Sequence, residues 1–365
     1  MTPPKYAAFI SPHGFGHAAR SSAVMRALHD RNGARFEIFS TLPRWFLNES
    51  LAGLHRYHEV ECDVGFRQAS ALRIDLAATR AALERMLPFD ERLIDRIATD
   101  VAAAGCKAVL CDIAPMGIAV AERAGLPSVL LESFTWPWLY QPFHSEEPAL
   151  EALGSELDRW SSRATVHVRT EPSCFDGTDG FRCHQVDPIS RLPRSTRSAT
   201  RDRLGVPSAA DFVVITMGGY PEEMPFLPRL SEHPDIVFLV TGAQETHREG
   251  NALLFSNRSP LYMPDLLRAA DALVGKLGYG TISEAWREGL PAAFVSRLDF
   301  REMPPLESFV RERLHGFQIR PTEFGTAEWI SRIPELLEMP REERGVGGVG
   351  DVARILDELV VRGSS

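Results

Sequence analysis

The feature that most constrains this fold is an alternation of short apolar strands with helices. In the first half, residues 6–11 and 36–40 read as strands on either side of a helix over 18–30. A clearer case follows, in which a strand at 108–111 leads into a helix over 116–124 and then a strand at 128–131. Apolar strands separated by helices predict a parallel sheet covered on both faces.

The second half of the chain repeats this alternation. Its predicted elements are strands at 212–216, 236–240, 272–274 and 292–295, and a helix over 281–288. A chain of 365 residues also exceeds the roughly 250–300 residues at which single cores stop growing. We therefore predict two α/β domains.

The domain boundary is predicted from a change in composition. Residues 171–203 are rich in Pro, Gly, Asp, Ser and Arg and lack periodicity, so this segment is interpreted as a linker between domains over 1–170 and 204–344. Its cluster of arginines is interpreted as a solvated connection. An amphipathic tail over about 345–362 is predicted to be a helix that packs back on the first domain.

Composition excludes several classes of protein. A net charge of −9 argues against a nucleic-acid partner, which binds through concentrated positive charge. No apolar run reaches the roughly 20 residues that cross a bilayer, although peripheral membrane contact and the oligomeric state stay open. Five cysteines without a C-x-x-C pair favour a reduced, cytoplasmic protein, and no metal site is expected.

The first segment with chemical potential lies between the first strand and the first helix and reads HGFGHAAR from His13 to Arg20. Ligands bind at the carboxyl ends of parallel strands, where Gly16 permits close approach and Arg20 adds positive charge. With a reference pKa near ~6.5, His17 suits a general base for a hydroxyl, and His13 is a second catalytic candidate. The alternative is a tight turn of hydrogen-bonded histidines. NAD is disfavoured, since neither the third glycine nor an acidic residue after the second strand is present.

A second glycine-rich turn is the stronger signal. Gly278, Tyr279, Gly280 and Thr281 follow an apolar strand and open a helix predicted to begin at about Thr281. Backbone N–H groups of residues 280–282 and the Thr281 hydroxyl are predicted to bind a diphosphate, and Glu284 to accept from a ribose diol. The turn is not a P-loop, and its alternative interpretation is a capping box of Thr281 with Glu284.

Other segments complete the predicted donor pocket. Gly218 and Gly219 follow a strand and permit close backbone approach to phosphate or sugar, while Met263 opens a short helix whose backbone reads a nucleotide base. Asp299 and Glu302 follow a later strand and are predicted to hold sugar hydroxyls, with exposed loop charge as the alternative.

An aromatic-rich segment over 132–140 also follows a strand. It is interpreted either as a stacking surface for sugar rings or an apolar acceptor, or as packing against a domain interface.

Taken together, these motifs resemble the GT-B glycosyltransferases. The layout is most similar to the group containing the N-acetylglucosaminyltransferase that makes the lipid-linked peptidoglycan precursor. The HGFGH motif from His13 to His17 and the GYGTISEA motif from Gly278 to Ala285 also resemble the N-terminal, non-kinase region of plant arabinose kinases.

The resemblance implies two facing Rossmann-like domains with parallel sheets and a cleft between them. It implies a nucleotide-sugar in the C-terminal domain and an acceptor in the N-terminal one, with His17 as base, Met263 at the nucleobase and residues 278–281 at the diphosphate. Glu284 would bind ribose and Glu302 the donor sugar. One departure is that the family's sugar loop carries glutamines, whereas this loop reads DFRE from Asp299 to Glu302.

The predicted activity is metal-independent, inverting transfer of a hexosyl or N-acetylhexosaminyl group from a UDP- or dTDP-sugar to a hydroxyl acceptor. The donor is a substrate, and no other cofactor is expected. Metal independence follows from the lack of a D-x-D motif. A non-hydrolysing sugar-nucleotide epimerase and a non-catalytic sugar-nucleotide-binding module stay open as alternatives.

Overall fold

The computed structural model describes residues 3–70, 73–175, 183–218, 224–256, 261–297, 300–342 and 344–362. The chain divides into two compact units. The N-terminal unit comprises Met1–Ile189 and Val346–Ser365, and the C-terminal unit comprises Ser190–Gly345.

The elements up to the division alternate between strands and helices. They are β1 (Lys5–Ile10), α1 (Phe15–Asn32), β2 (Arg35–Ser40), α2 (Arg44–Leu51), β3 (His55–Glu59), β4 (Gln68–Ser70), β5 (Arg73–Ile74), α3 (Leu76–Met86), α4 (Glu91–Ala103), β6 (Cys106–Asp112), α5 (Pro115–Ala124), β7 (Ser128–Glu132), α6 (Trp136–Tyr140), α7 (Ala149–Ser161), β8 (Val166–Thr170) and β9 (Cys183–Val186).

The remaining elements repeat the pattern and end in a long helix. They are α8 (Arg197–Leu204), β10 (Asp211–Thr216), β11 (Ile236–Ala243), β12 (His247–Glu249), β13 (Ala252–Ser256), α9 (Met263–Ala269), β14 (Ala272–Lys276), α10 (Tyr279–Arg287), β15 (Ala292–Val295), α11 (Met303–Phe309), β16 (Gly316–Ile319), α12 (Pro321–Thr326), α13 (Ile333–Leu337) and α14 (Val349–Arg362).

The N-terminal unit is built on a seven-stranded sheet of order β3-β2-β1-β6-β7-β8-β9, in which all neighbours run parallel. Helices cover both faces: α1, α2 and α14 share a core with one, while Gly117 of α5 lies against Phe9 and Cys111 on the other. Because β2 and β6 flank β1 on opposite sides, the strand order reverses there. Ligands of such sheets bind outside the carboxyl ends of the strands at this switch point.

The C-terminal unit has its own seven-stranded sheet, of order β12-β13-β11-β10-β14-β15-β16, which is parallel except for the edge strand β12. Its switch point lies between β10 and β14. Thr216 and Gly275 are paired there, and a Cβ on Gly275 would lie 2.1 Å from the Thr216 carbonyl oxygen, so only glycine fits. The predicted α/β architecture with two parallel sheets is confirmed.

The terminal helix α14 packs in the N-terminal unit. Val352, Ile355 and Leu356 lie in its core, and Asp357 accepts hydrogen bonds from Arg31 Nε at 2.8 Å and Asn32 Nδ2 at 3.0 Å.

The range 171–203, for which the sequence predicts a linker, contains regular structure. β9 extends the first sheet and α8 belongs to the C-terminal unit. Short, largely polar β9 lies at a sheet edge, where no apolar run is needed, so composition does not identify it. The arginine cluster is only partly solvated: Arg194 and Arg203 are exposed, whereas Arg191 and Arg201 are buried, and Arg201 Nε donates to the Ala269 carbonyl at 2.9 Å.

Candidate functional site

The histidine motif lies at the switch point of the first sheet. Helix α1 begins at Phe15, three residues earlier than the apolar spacing predicts, so His17 and Gly16 lie in its first turn. Gly14 precedes the helix with φ +87° and ψ 165°, a conformation that favours glycine. The paired strand β6 ends at Asp112, which lies beside Ile10 in the sheet.

Asp112 is the centre of a buried polar cluster that ties α1 to β6. Its Oδ1 lies 2.8 Å from His17 Nδ1 and accepts from Arg20 Nη2, while its Oδ2 accepts from Arg20 Nε at 3.1 Å and from the Ser21 hydroxyl at 2.6 Å. Arg20 Nη1 also donates to the Ser133 hydroxyl at 2.9 Å. Burial raises the pKa of Asp112, but the Arg20 guanidinium and the His17 ring beside the carboxylate outweigh burial and hold that pKa well below its usual range.

This cluster fixes the tautomer of His17. An ionised Asp112 can only accept, so the hydrogen between Oδ1 and Nδ1 belongs to the imidazole, and a neutral ring carries its lone pair on Nε2. His17 is only 8% exposed. Its Nε2 atom nevertheless forms no hydrogen bond to a described residue and is not sealed from solvent. His17 therefore presents a basic nitrogen to solvent.

The residue that follows Asp112 has a strained backbone conformation. Ile113 has φ +49°, which is unfavourable for a β-branched side chain, and its N–H donates to the Leu131 carbonyl at 3.1 Å. Strain of this kind costs of order 1–3 kcal/mol and persists where surrounding contacts hold it. It ends β6 sharply at Asp112.

A second buried carboxylate lies near the first. Asp63 is 1% exposed, and its Oδ2 accepts from Trp136 Nε1 at 3.0 Å. Burial raises the pKa of Asp63 to about 7, against the lowering effect of hydrogen bonds from Ser11 and Trp136. Gly65 (φ +63°) lies over the rings of His13 and Trp136, and its Cβ would lie 2.8 Å from both.

The aromatic segment is packed inside the N-terminal unit. Trp136 and Tyr140 lie on α6, stack at 6.0 Å between centroids and are buried, while Phe134 lies edge-on to His17 at 6.1 Å. Of the two interpretations offered by the sequence, burial describes Trp136 and Tyr140, and the packing partners are rings of the same unit.

The second glycine-rich turn lies at the switch point of the other sheet. Helix α10 begins at Tyr279, two residues before the predicted start, and Gly278 precedes it without a side-chain cap. The Ile282 N–H consequently donates to the Gly278 carbonyl at 3.0 Å, so the first-turn N–H groups are those of residues 279–281 rather than 280–282. Gly278, Tyr279, Gly280 and Thr281 are all half-buried and reach solvent.

Glu284 is held from outside its helix and not by a capping box. Arg191 Nε donates to Glu284 Oε1 at 2.8 Å, and both side chains are almost fully buried. The carboxylate of Glu284 lies one turn beyond Thr281 on the same face of α10.

Met263 is half-buried at the first position of α9, after Tyr262. Asp265 lies in the first turn of α9, and its Oδ1 accepts from the backbone N–H groups of Arg194 at 2.5 Å and Ser195 at 2.9 Å.

Of the four remaining predicted donor residues, Gly218 and Glu302 lie in the described part of the chain. Gly218 has φ +72°, and its N–H donates to the Thr216 hydroxyl at 3.3 Å at the end of β10. Glu302 precedes α11 and accepts from Arg297 Nη2 at 2.6 Å. Gly219 and Asp299 lie outside the described residues.

The sequence did not predict roles for Asp112, Asp63 or Arg191. Asp112 carries a usable signal, a charged residue that ends an apolar strand of a parallel sheet. Asp63 and Arg191 lie in irregular segments and gave no pattern.

The described part of the chain contains neither a metal-type cluster of side chains nor a helix of membrane-spanning character. Within these ranges no three His, Cys, Asp or Glu side chains are grouped as a metal site would require. No described helix combines the length and apolar character of a membrane span.

The chain is similar in sequence to a curated plant protein. L-arabinokinase from Arabidopsis thaliana is 26% identical over 361 residues, which cover 98% of this chain and 34% of that protein. The chain thus spans about a third of the length of this curated relative. No protein-family model matches the chain.

Solved structures of glycosyltransferases match nearly the whole chain. The glycotransferase of kitacinnamycin has a TM-score of 0.65 and 16% identity, covering 99% of this chain and 96% of its own. Phytolacca americana UGT2, solved with UDP-2fluoro-glucose and pterostilbene, has a TM-score of 0.63 and 14% identity, covering 98% and 93%. Arabidopsis thaliana UGT89C1, solved with UDP, has a TM-score of 0.61 and 14% identity, covering 98% and 99%. These neighbours are GT-B glycosyltransferases, and the chain has their fold.

Proposed function

We propose that this protein is a glycosyltransferase that moves a sugar from a nucleoside-diphosphate sugar to a hydroxyl acceptor. The observation that carries the proposal is the His17–Asp112 pair. A buried, ionised carboxylate fixes the hydrogen on Nδ1 and leaves Nε2 open to solvent at a switch point. That is the arrangement a general base for an alcohol requires.

In the proposed reaction, His17 Nε2 takes the proton of the acceptor hydroxyl as its oxygen attacks the anomeric carbon of the donor. The bond from that carbon to the diphosphate oxygen breaks, and its electron pair leaves with the nucleoside diphosphate. Asp112 stabilises the resulting imidazolium without taking its proton. A single displacement inverts the configuration at the anomeric carbon.

The donor is proposed to bind at α10. Amide N–H groups at the start of this helix, with the helix dipole, attract a diphosphate and stabilise the negative charge that develops on it. Two structural neighbours were solved with UDP or UDP-2fluoro-glucose, which supports a uridine nucleotide, with dTDP as the alternative. Met263 is proposed to contact the base, Glu284 the ribose, and Glu302 the sugar.

Metal independence is a further part of the proposal, since backbone dipoles at α10 supply the positive potential. Hydroxyl acceptors are expected to stimulate the release of nucleoside diphosphate from UDP- and dTDP-sugars. We expect this release to be as fast in about 5 mM EDTA as with added Mg²⁺. A coupled assay for the released nucleotide measures both rates. Loss of activity in EDTA that Mg²⁺ restores would contradict this part.

Product analysis of the nucleotide-sugar and a nucleotide-binding measurement on the same protein separate the alternatives. Conversion of the donor to its epimer without acceptor would identify an epimerase. Nucleotide binding with neither transfer nor hydrolysis for any donor would identify a binding module, and either result would overturn the proposed transferase.

A further inference from the structure

We propose that Arg191 is a positioning residue of the donor site, which holds Glu284 ready to receive the ribose hydroxyls. This inference rests on the proposed function and names a residue that neither motif contains. Arg191 lies 93 positions before Glu284, at the beginning of the C-terminal unit. It is joined to α10 through its side chain.

The contact itself is buried and leaves half of the carboxylate available. Arg191 is 6% exposed and Glu284 is 4% exposed, and Arg191 Nε donates to Oε1 at 2.8 Å. The other oxygen, Oε2, forms no hydrogen bond to a described residue and is not sealed from solvent. One oxygen is therefore fixed by the guanidinium while the other reaches solvent.

Arg191 also contacts the segment proposed to read the base. Its guanidinium carbon lies 4.9 Å from the centroid of the Tyr262 ring, and Tyr262 directly precedes Met263 at the start of α9. One side chain thus connects the carboxylate on α10 with the loop before α9. A planar guanidinium suits both contacts, whereas the ammonium of lysine forms neither a fork nor a stacked plane.

Electrostatics gives this pair a second role. Glu284 lies three residues after Thr281, a rise of about 4.5 Å along the helix, so an unpaired carboxylate would repel a bound diphosphate. Arg191 neutralises that charge and leaves the positive potential of the helix start intact. Arg191 thus permits an acidic ribose ligand to lie next to an anion-binding turn.

A discrimination ratio tests the inference. In full-length protein, UDP is expected to bind at least about 10-fold more tightly than 2′,3′-dideoxy-UDP, because only UDP offers hydroxyls to Glu284. Arg191→Lys, which keeps the charge, is expected to reduce this ratio at least about fivefold. In Glu284→Gln, the same Arg191→Lys change is expected to have almost no further effect, since an amide whose oxygen faces residue 191 presents to the ribose an NH2 group that cannot accept a hydrogen bond.

The matched control is Arg201→Lys. Arg201 is an equally buried arginine of the same unit, and it pairs with Asp271 and the Ala269 carbonyl away from α10. It is expected to change stability without changing the UDP to dideoxy-UDP ratio. Calorimetric titration with the two nucleotides measures the ratio for each variant.

The outcomes separate the inference from its foundation. An Arg191→Lys protein that binds UDP with the wild-type ratio, or a ratio that falls equally in Arg201→Lys, would overturn the role of Arg191 alone. Wild-type protein that binds neither nucleotide, nor dTDP, would overturn the donor site and the role of Arg191 with it.

Discussion

Replacing Asp112 by Asn will lower the rate of glycosyl transfer about 10³- to 10⁴-fold while the affinity for the donor stays nearly unchanged. The amide cannot hold the proton of His17 on Nδ1 as a carboxylate does, and its own N–H₂ group favours the tautomer with Nε2 protonated. That tautomer has no lone pair for the acceptor hydroxyl. Steady-state rates at saturating donor, with donor affinity from calorimetry, measure the two effects separately.

The same substitution will also destabilise the N-terminal unit, because Arg20 loses its buried partner, at a cost of about 3–5 kcal/mol. The folded-state pKa of Asp112 is depressed, so its stabilising contribution is complete above the unfolded carboxyl pKa of about 3.9 and is lost as the pH falls below it. The difference in unfolding free energy between wild type and Asp112→Asn should shrink over that acidic range.

The control for this prediction is Asp357→Asn. It makes the same chemical change at a carboxylate of α14 that pairs with Arg31 of α1. It should leave the transfer rate intact. Equal rates in wild type and Asp112→Asn, measured where both are folded, would remove Asp112 from the mechanism.

Replacing Thr281 by Asp will weaken nucleoside diphosphate binding and strengthen the fold. A carboxylate in the first turn of α10 interacts favourably with the helix dipole, by about 0.3–1 kcal/mol. The same charge about 4 Å from a diphosphate costs about 4 kcal/mol at an effective dielectric constant of 20, which is about 10²- to 10³-fold in affinity.

Thr281→Asn is the neutral counterpart, and it should lose little of either property. Thermal unfolding and calorimetric titration with UDP measure the two quantities. A Thr281→Asp protein that is more stable and still binds UDP as wild type does would show that the diphosphate lies elsewhere.

The architecture could be predicted from the sequence because its strands and helices are encoded by patterns within short segments of the chain. Most strands inside the two sheets are short apolar runs, and the helices that follow them have their own periodicity, so the order of these elements can be read along the chain. The edge strands β3, β9 and β12 are polar and lack this signal. The helix starts were less well determined. Phe15 and Tyr279 open α1 and α10 two or three residues early, because glycines at 14 and 278 stand where a polar cap would mark the boundary.

The partners of the motif residues could not be predicted, because they depend on contacts between distant segments. His17 and Glu284 were singled out from their motifs, whereas Asp112 and Arg191 lie 95 and 93 residues away from them. Asp112 becomes significant only when the pairing of β1 with β6 is known. Arg191 lies in a segment whose composition suggested a solvated linker, and only the packing of α9 and α10 shows it to be buried.

The most direct test of the proposed mechanism is the rate of nucleoside diphosphate release by His17→Ala at saturating donor and acceptor, compared with wild type. The acceptor is the hydroxyl compound that gives wild type its highest rate. The account predicts that the rate falls about 10²- to 10⁴-fold while calorimetry shows unchanged affinity for UDP. A His17→Ala protein that transfers sugar at the wild-type rate would contradict it.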